Sequence, residues 1–303
     1  MKAFLVLHRG ALGDFVLTWP TLAALRAKYS GHHFLALGRP DYLELAKAVG
    51  LIDGGIDCEA AALTPFLAGE ALPDFIGNAD AALLWTRYDP KISGLLERSC
   101  SGPVVFHPPF PEDKIHVLEH HLRSLSRFGL SPVLQREPNF SLGLCSDPKE
   151  KGCALIHPGS GSPAKNYSPE FYAGLRKALQ EEGYSDTRIV LGPAEKELRR
   201  HYEGHFVVEE PASVLQLAEL MIASALFVGN DSGASHLAAS MGVPTLALYK
   251  STDPARWGVR GPASHALTAK DEAEARSRIR EILRSRSFTS SSIRSELISQ
   301  ALL

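Results

Sequence analysis

Short apolar runs, each followed by a stretch of helical periodicity, recur along almost the whole of this 303-residue chain. That alternation leaves few folds open. Successive parallel strands need a crossover of about a dozen residues or more, usually a helix, and strands covered on both faces read as unbroken apolar runs rather than alternating ones. In the first half the pattern predicts a strand at Ala3–Leu7, a glycine loop and a helix from about Phe15 to Lys28. A strand near Phe34–Leu37 and a helix near Tyr42–Val49 follow, with further buried strands at Ala81–Leu84 and Val104–Phe106. Between Ile115 and Phe128 the apolar residues, with His121 among them, fall on one helical stripe.

Around Phe140–Lys151 the pattern lapses into a polar stretch, LGLCSDPKEKG, and then restarts. Strands are predicted at Ala154–Ile156, Arg188–Leu191, Ala225–Val228 and Thr245–Leu248, and helices at Pro169–Gln180, Val214–Ala223 and Ser232–Met241. The expected fold class is therefore α/β, with two Rossmann-like, doubly wound parallel-sheet domains facing a cleft. Their expected limits are 1–147 and 148–285, with a tail at 286–303 that is Ser- and Arg-rich at its start. Both a helix docking back on the N-terminal domain and a frayed end fit that tail.

Composition narrows the function. A charged fraction of 22% and a net charge of −2 supply no global field for nucleic acid, so any attraction to an acidic partner must be local. The four cysteines, Cys58, Cys100, Cys145 and Cys153, form no CxxC pair and no zinc spacing, as expected of reduced thiols in a cytoplasmic protein. The opening MKAFLVLHRGALGD is broken by His8, Arg9 and Asp14 before a signal-peptide core forms, and no stretch of about 18 apolar residues offers a membrane span.

Three strand-to-helix loops carry chemistry. In an open parallel sheet such loops lie at the carboxyl edge, where ligands bind. The first is His8-Arg9-Gly10-Ala11-Leu12-Gly13-Asp14. It lacks the dinucleotide fingerprint GxGxxG. Spacing alone favours Asp14 as a helix N-cap, and the functional reading is a general base at the cleft. The second, His157-Pro158-Gly159-Ser160-Gly161-Ser162-Pro163-Ala164-Lys165, sets small residues and hydroxyls beside a lysine. Such a loop can hold a phosphate or simply be a flexible surface turn. In the third, Val228-Gly229-Asn230-Asp231-Ser232-Gly233-Ala234-Ser235-His236, a strand runs into an apolar helix. Ser232 and Gly233 could donate to a diphosphate and Asp231 accept from ribose, with His236 one turn on. A capping aspartate and a buried histidine would give the same string.

Weaker features complete the reading. Gly192-Pro193-Ala194-Glu195 is a further junction at which Glu195 could meet a ribose or open a helix. No DxD occurs, so no metal-held diphosphate is expected. His120 and His121, like His32 and His33, are adjacent and are not expected to share a face. His116, His120, Arg123 and Arg127 share a helical surface by spacing, read as a solvated face or as a patch for an anionic acceptor.

Three strings in this chain resemble signatures of glycosyltransferase family 9, the bacterial heptosyltransferases: RGALGDFVLTWPTLAAL, IHPGSGSPAKNYSPEFYAGL and FVGNDSGASHLAASMGVPTLALYKSTDPARWG. The resemblance implies a GT-B fold and metal-independent, inverting transfer of an ADP-activated heptose to lipopolysaccharide inner core, without a cofactor. It implies Asp14 as the catalytic base and Ser160, Lys165, Glu195, Asp231, Ser232, Gly233 and His236 as the donor site. Arg9, Gly13, His120 and Arg123 are the acceptor-side candidates. The partners expected are a nucleotide-sugar donor and a glycolipid or oligosaccharide acceptor, through which the protein would touch the inner face of the membrane. The chain departs from the family pattern at Lys250, where a glycine is common, and at Asn166-Tyr167-Ser168, which replaces tryptophan-proline. A sugar-nucleotide epimerase of the same fold, or a non-catalytic nucleotide-sugar binder, would also use such loops.

Overall fold

The computed structural model describes residues 2–77, 79–143 and 152–285. The chain divides into two compact units between Arg136 and Glu137. Phe140 N donates to Ser240 O at 2.8 Å and Arg260 stands 3.8 Å from Glu137, so the start of the polar stretch belongs with the second unit. Positions 144–151 and the tail at 286–303 lie outside the described residues.

The first unit is a five-stranded parallel sheet of β1 (Ala3–Leu7), β2 (His33–Gly38), β3 (Gly54–Asp57), β4 (Ala79–Leu84) and β5 (Val104–Phe106) in the order β3-β2-β1-β4-β5. Side chains alternate across β1, and both faces are covered. Leu5 and Leu7 join Leu37, Leu84, Leu63 and Phe66 in one buried cluster. On the other face Phe4 stacks on Phe34 at 4.8 Å and meets Tyr29 and Phe128. The helices are α1 (Leu12–Leu17), α2 (Trp19–Lys28), α3 (Pro40–Ala48), α4 (Thr64–Leu67), α5 (Pro90–Glu97) and α6 (Val117–Arg123). Arg26 on α2 grips the Asp53 carboxylate with two 2.7 Å hydrogen bonds. Those bonds outweigh partial burial and hold the Asp53 carboxyl at about 2.

The second unit is a six-stranded parallel sheet of β6 (Cys153–His157), β7 (Asp186–Val190), β8 (Val207–Glu209), β9 (Leu226–Asn230), β10 (Thr245–Tyr249) and β11 (Ser264–Thr268), ordered β11-β10-β9-β6-β7-β8. Its helices are α7 (Pro169–Glu181), α8 (Arg199–Tyr202), α9 (Val214–Ile222), α10 (Gly233–Ser240), α11 (Pro254–Trp257) and α12 (Glu272–Arg284). β9 and β10 are buried at every position, as strands covered on both faces must be. In both sheets the first and fourth strands of the unit are neighbours, and the strand order reverses between them.

Several elements differ from the sequence expectation for local reasons. The single helix expected over Phe15–Lys28 breaks at Thr18, because Pro20 has no N–H to continue the ladder and Thr18 Oγ1 turns back to Phe15 O at 2.6 Å. The stripe at Ile115–Phe128 is α6 followed by a 3₁₀ turn, closed by Gly129 at φ +68°. His116 and His120 are buried on that stripe, while Arg123 and Arg127 are exposed, so these four residues do not form a solvated face. β3, β8 and β11 had no apolar run to announce them, being partly exposed edge strands. α12 was hidden by its charge, since its buried residues are Ala275, Ile279 and Leu283, four apart, with Ile282 packed beside them.

Candidate functional site

Between β6 and β9 the strand order of the second sheet reverses, and the two loops leaving these strands open side by side at the carboxyl edge. Lys165, at the end of the β6 loop, donates to Asp231 Oδ2 directly after β9 at 2.7 Å. Thr252, just past β10, adds its hydroxyl to the same oxygen at 2.6 Å. His236 Nε2, one turn into α10, stands 3.8 Å from the other oxygen, an electrostatic contact too long for a hydrogen bond. Burial alone would raise the Asp231 carboxyl. The contacts from His236, Lys165 and Thr252, with the Lys165 charge, outweigh that effect and hold it at about 2. Asp231 is thus an anion wherever this protein works, and it fixes a cation at the switch point.

Around the pair stand polar atoms with nothing inside the protein to bind. Ser232 is the N-cap of α10, yet its hydroxyl makes no capping bond and is buried without a partner. His236 Nδ1 is likewise buried and unpartnered. Native folds rarely leave such atoms orphaned, and a bound ligand, ion or water is what usually satisfies them. Glu195 lies across the β6 loop, accepting Gly192 N at 2.9 Å and standing 3.9 Å from His157 Nε2. A Cβ at Gly159 would overlap Glu195, so glycine is needed for the carboxylate to lie there. Ser160 Oγ turns inward, 2.7 Å from both Ser162 O and Asn166 Oδ1, and holds the loop rather than facing outward.

Several residues of this site were passed over in the sequence. Asn230 is fully buried, donates to Pro158 O at 2.7 Å and accepts from Tyr172 OH at 2.8 Å, tying the two loops together. Thr252 could have been found by its place in the loop that follows a predicted strand. Lys250 Nζ donates to Asn166 O at 3.1 Å and lies 5.7 Å from the centre of the Tyr167 ring, so the two departures from the family pattern are partners in space.

In the first unit, Asp14 is the third residue of α1, whose N-cap is Ala11. It is therefore a first-turn carboxylate and not the cap. A Cβ at Gly10 would come within 2.9 Å of His8 Cε1 and 3.3 Å of Asp14 Oδ2, so glycine there keeps the β1 loop close against the carboxylate. Arg9 is exposed and Gly13 half-buried beside it. His120 is buried with its Nε2 on Pro108 O at 2.7 Å, and Arg123 reaches out to Asp113 at 2.8 Å. His120 and Arg123 thus share a helix but not an environment. No helix among the described residues is long and apolar enough to cross a membrane.

Two Rossmann-like units, each with a reversal of strand order beside its first strand, place this chain among the doubly wound α/β proteins, whose ligands bind at the carboxyl edge of the sheet. The profile of glycosyltransferase family 9 (heptosyltransferase) matches residues 121–284, more than half of the chain. This chain belongs to glycosyltransferase family 9, and its activity class is glycosyl transfer. A Haemophilus influenzae protein to which glycosyltransferase activity is ascribed is 29% identical over 312 residues, covering 85% of this chain and 86% of the relative. The family 9 glycosyl transferase of Veillonella parvula superposes with a TM-score of 0.72 at 19% identity, over 98% of this chain and 95% of that one. Heptosyltransferase WaaC of E. coli, solved with ADP, gives a TM-score of 0.69 at 19% identity over 93% of this chain and all of its own. That enzyme has also been solved with ADP-2-deoxy-2-fluoro heptose. At such identities the structural likenesses establish the fold, the two-Rossmann-domain architecture of GT-B glycosyltransferases.

Proposed function

We propose that this chain is an inverting, metal-independent glycosyltransferase that moves a sugar, heptose in the first instance, from an ADP-linked donor to an inner-core or related glycan. The observation that carries the reading is the Lys165–Asp231 pair across the β6/β9 switch point, with Ser232 Oγ and His236 Nδ1 left unpartnered beside it. A diphosphate supplies the acceptors those donors lack. Lys165 and the N-terminal amides of α10 meet its charge, and Asp231 keeps Lys165 in place and remains available to a ribose hydroxyl. ADP is the nucleotide preferred because WaaC, a structural neighbour, carries it.

In the transfer the acceptor hydroxyl oxygen attacks the anomeric carbon of the sugar. Its proton passes to the Asp14 carboxylate, and the bond from the anomeric carbon to the diphosphate oxygen breaks with its electron pair staying on the diphosphate. General-base assistance of this kind contributes roughly 10²–10⁴-fold. Stabilisation of the departing diphosphate by Lys165 and the α10 terminus is the electrostatic part of the barrier lowering.

A thermal-shift series with ADP, UDP, GDP and dTDP and their sugars tests the donor site. A ligand at about 100 times its Kd raises stability by about 2.7 kcal/mol. ADP and an ADP-sugar are expected to raise the Tm of the wild type and to lose most of that effect in Lys165→Ala. Release of ADP only when acceptor is supplied separates a transferase from an epimerase or a binder. No shift with any nucleotide, or an undiminished shift in Lys165→Ala, refutes the reading.

A further inference from the structure

In the first unit, histidines that the reading above leaves idle converge at the carboxyl edge of the sheet. His107 directly follows β5, and His120 and His121 are consecutive on α6. All three are buried. Consecutive helical residues diverge by about 100°, so this pair was not expected to act together. The β5 end, however, lies between them. The His107 ring is 4.2 Å from the His120 ring and 5.8 Å from that of His121, centroid to centroid. One ring nitrogen from each of the three lies within 4.8 Å of the others, and among the described residues no other group of histidines, cysteines and carboxylates has such spacing.

The hydrogen bonds of the rings fix which nitrogens are free. His120 Nε2 is 2.7 Å from the carbonyl of Pro108, which can only accept, so the proton sits on Nε2 and Nδ1 carries the lone pair. His107 has a hydrogen bond to the His120 backbone and leaves Nε2 without a partner. His121 has no hydrogen-bond partner on either nitrogen. Burial first, joined by the neighbouring imidazoles at His107 and His121 and by the Arg123 charge at His120, keeps all three rings neutral at neutral pH. His8 and His116 add to that effect on His121. Three neutral imidazoles, two of them oriented through a backbone carbonyl on the far nitrogen, match the usual surroundings of a metal-bound histidine.

We propose that His107, His120 and His121 bind a borderline divalent transition-metal ion, zinc in the first instance, which ties the end of β5 to α6. The set contains no carboxylate, which excludes a magnesium-type site and favours zinc, copper, nickel or iron. Zinc–nitrogen bonds of about 2.0–2.1 Å put tetrahedral ligand nitrogens about 3.3 Å apart, so side-chain rotations must draw the rings together by roughly 1–1.5 Å. The three histidines fill three positions and leave a fourth for water. This ion is distinct in chemistry from one that would hold a donor diphosphate, and it needs no change in the transfer mechanism.

The test uses tag-free, full-length protein, stripped with chelator and dialysed against Zn²⁺ at neutral pH. Metal counting by mass spectrometry is expected to find one tightly held zinc per chain, and the X-ray absorption spectrum of the loaded wild type is expected to show three imidazole ligands. Zinc should raise the Tm of the wild type. His107→Gln and His120→Gln should each weaken zinc binding at least tenfold, while the double variant His201→Ala/His205→Ala, at two exposed histidines of the second unit, should bind as the wild type does. No retained metal, fewer than three imidazoles in the spectrum, or wild-type affinity in a folded His107→Gln overturns the proposal. The absorption spectrum needs no substitution and decides the matter even where a variant fails to fold.

Discussion

Replacing Asp231 by Asn removes one charge and leaves the shape of the site almost unaltered, so its effect can be worked out in advance. The Asp231 carboxyl sits at about 2 against an unperturbed 3.8. A difference of nearly two units corresponds to roughly 2.4 kcal/mol of preference for the ionised form in the folded protein. Lys165 keeps 28% of its side-chain surface in water, so part of that figure is lost to solvent screening, and about 1–2 kcal/mol is the expected effect. The sign follows from linkage. A carboxyl depressed on folding stabilises the protein fully above its unfolded value, and the stabilisation fades as pH falls through the folded value. The wild type should therefore melt above Asp231→Asn at about pH 7, keep about half of that advantage near pH 3, and lose it below about pH 2. Paired melting curves of the two proteins across that range read the difference directly, with other acid-sensitive groups common to both. An advantage that is absent at neutral pH, or that stays constant down to pH 3 and below, refutes the account of His236, Lys165 and Thr252 as the groups holding Asp231 ionised.

Asp14→Asn should fold and still bind nucleotide, losing no more than about 1 kcal/mol from the first turn of α1, yet turn over at least about 10²-fold more slowly with a competent acceptor. Turnover within a few-fold of the wild type would strip Asp14 of its role as the base. Gly159→Ala, which forces a methyl group against Glu195, should cost about 1–3 kcal/mol by chemical denaturation and displace the β6 loop. A neutral result would mean that Glu195 swings aside freely. Turnover should not depend on added Mg²⁺ or Mn²⁺, and a chelated enzyme revived by either ion would contradict metal-independent transfer. Revival by zinc alone would instead implicate the histidine site.

The sheet of each unit was legible because its strands are covered on both faces and so read as unbroken apolar runs. AFLVL and TLALY needed no tertiary context to be recognised. Edge strands such as GGID and VVE carry no such mark, since their place in the sheet is set by their neighbours. The two loops that meet at the switch point were legible for a similar reason. Glycine, serine and a cation after an apolar run have few roles, and Lys165 and Asp231 do meet. What the sequence could not show is convergence between distant segments. Thr252 reaches Asp231 only because β10 lies beside β9, and His107 reaches His120 and His121 only because β5 ends under α6. Spacing alone makes Asp14 look like a helix cap, yet it lies in the first turn, because α1 starts at Leu12, three residues before the expected Phe15.

Asn230 bears on how fast the donor can be captured. Glycine- and serine-rich loops ordinarily sample many shapes, and a ligand that needs one of them waits for it to occur, which lowers the productive collision rate. Here the amide of Asn230, at the last residue of β9, is committed on one side to the Pro158 carbonyl and on the other to the Tyr172 hydroxyl on α7. The start of the β6 loop is thereby clamped between a strand and a helix before any ligand arrives. Capture of the nucleotide should then follow a single exponential whose rate climbs in proportion to ligand concentration, with no plateau from a slow rearrangement of this loop. Loosening the clamp, as in Asn230→Ala, should introduce that plateau and make the ligand's arrival, rather than its departure, the step that suffers.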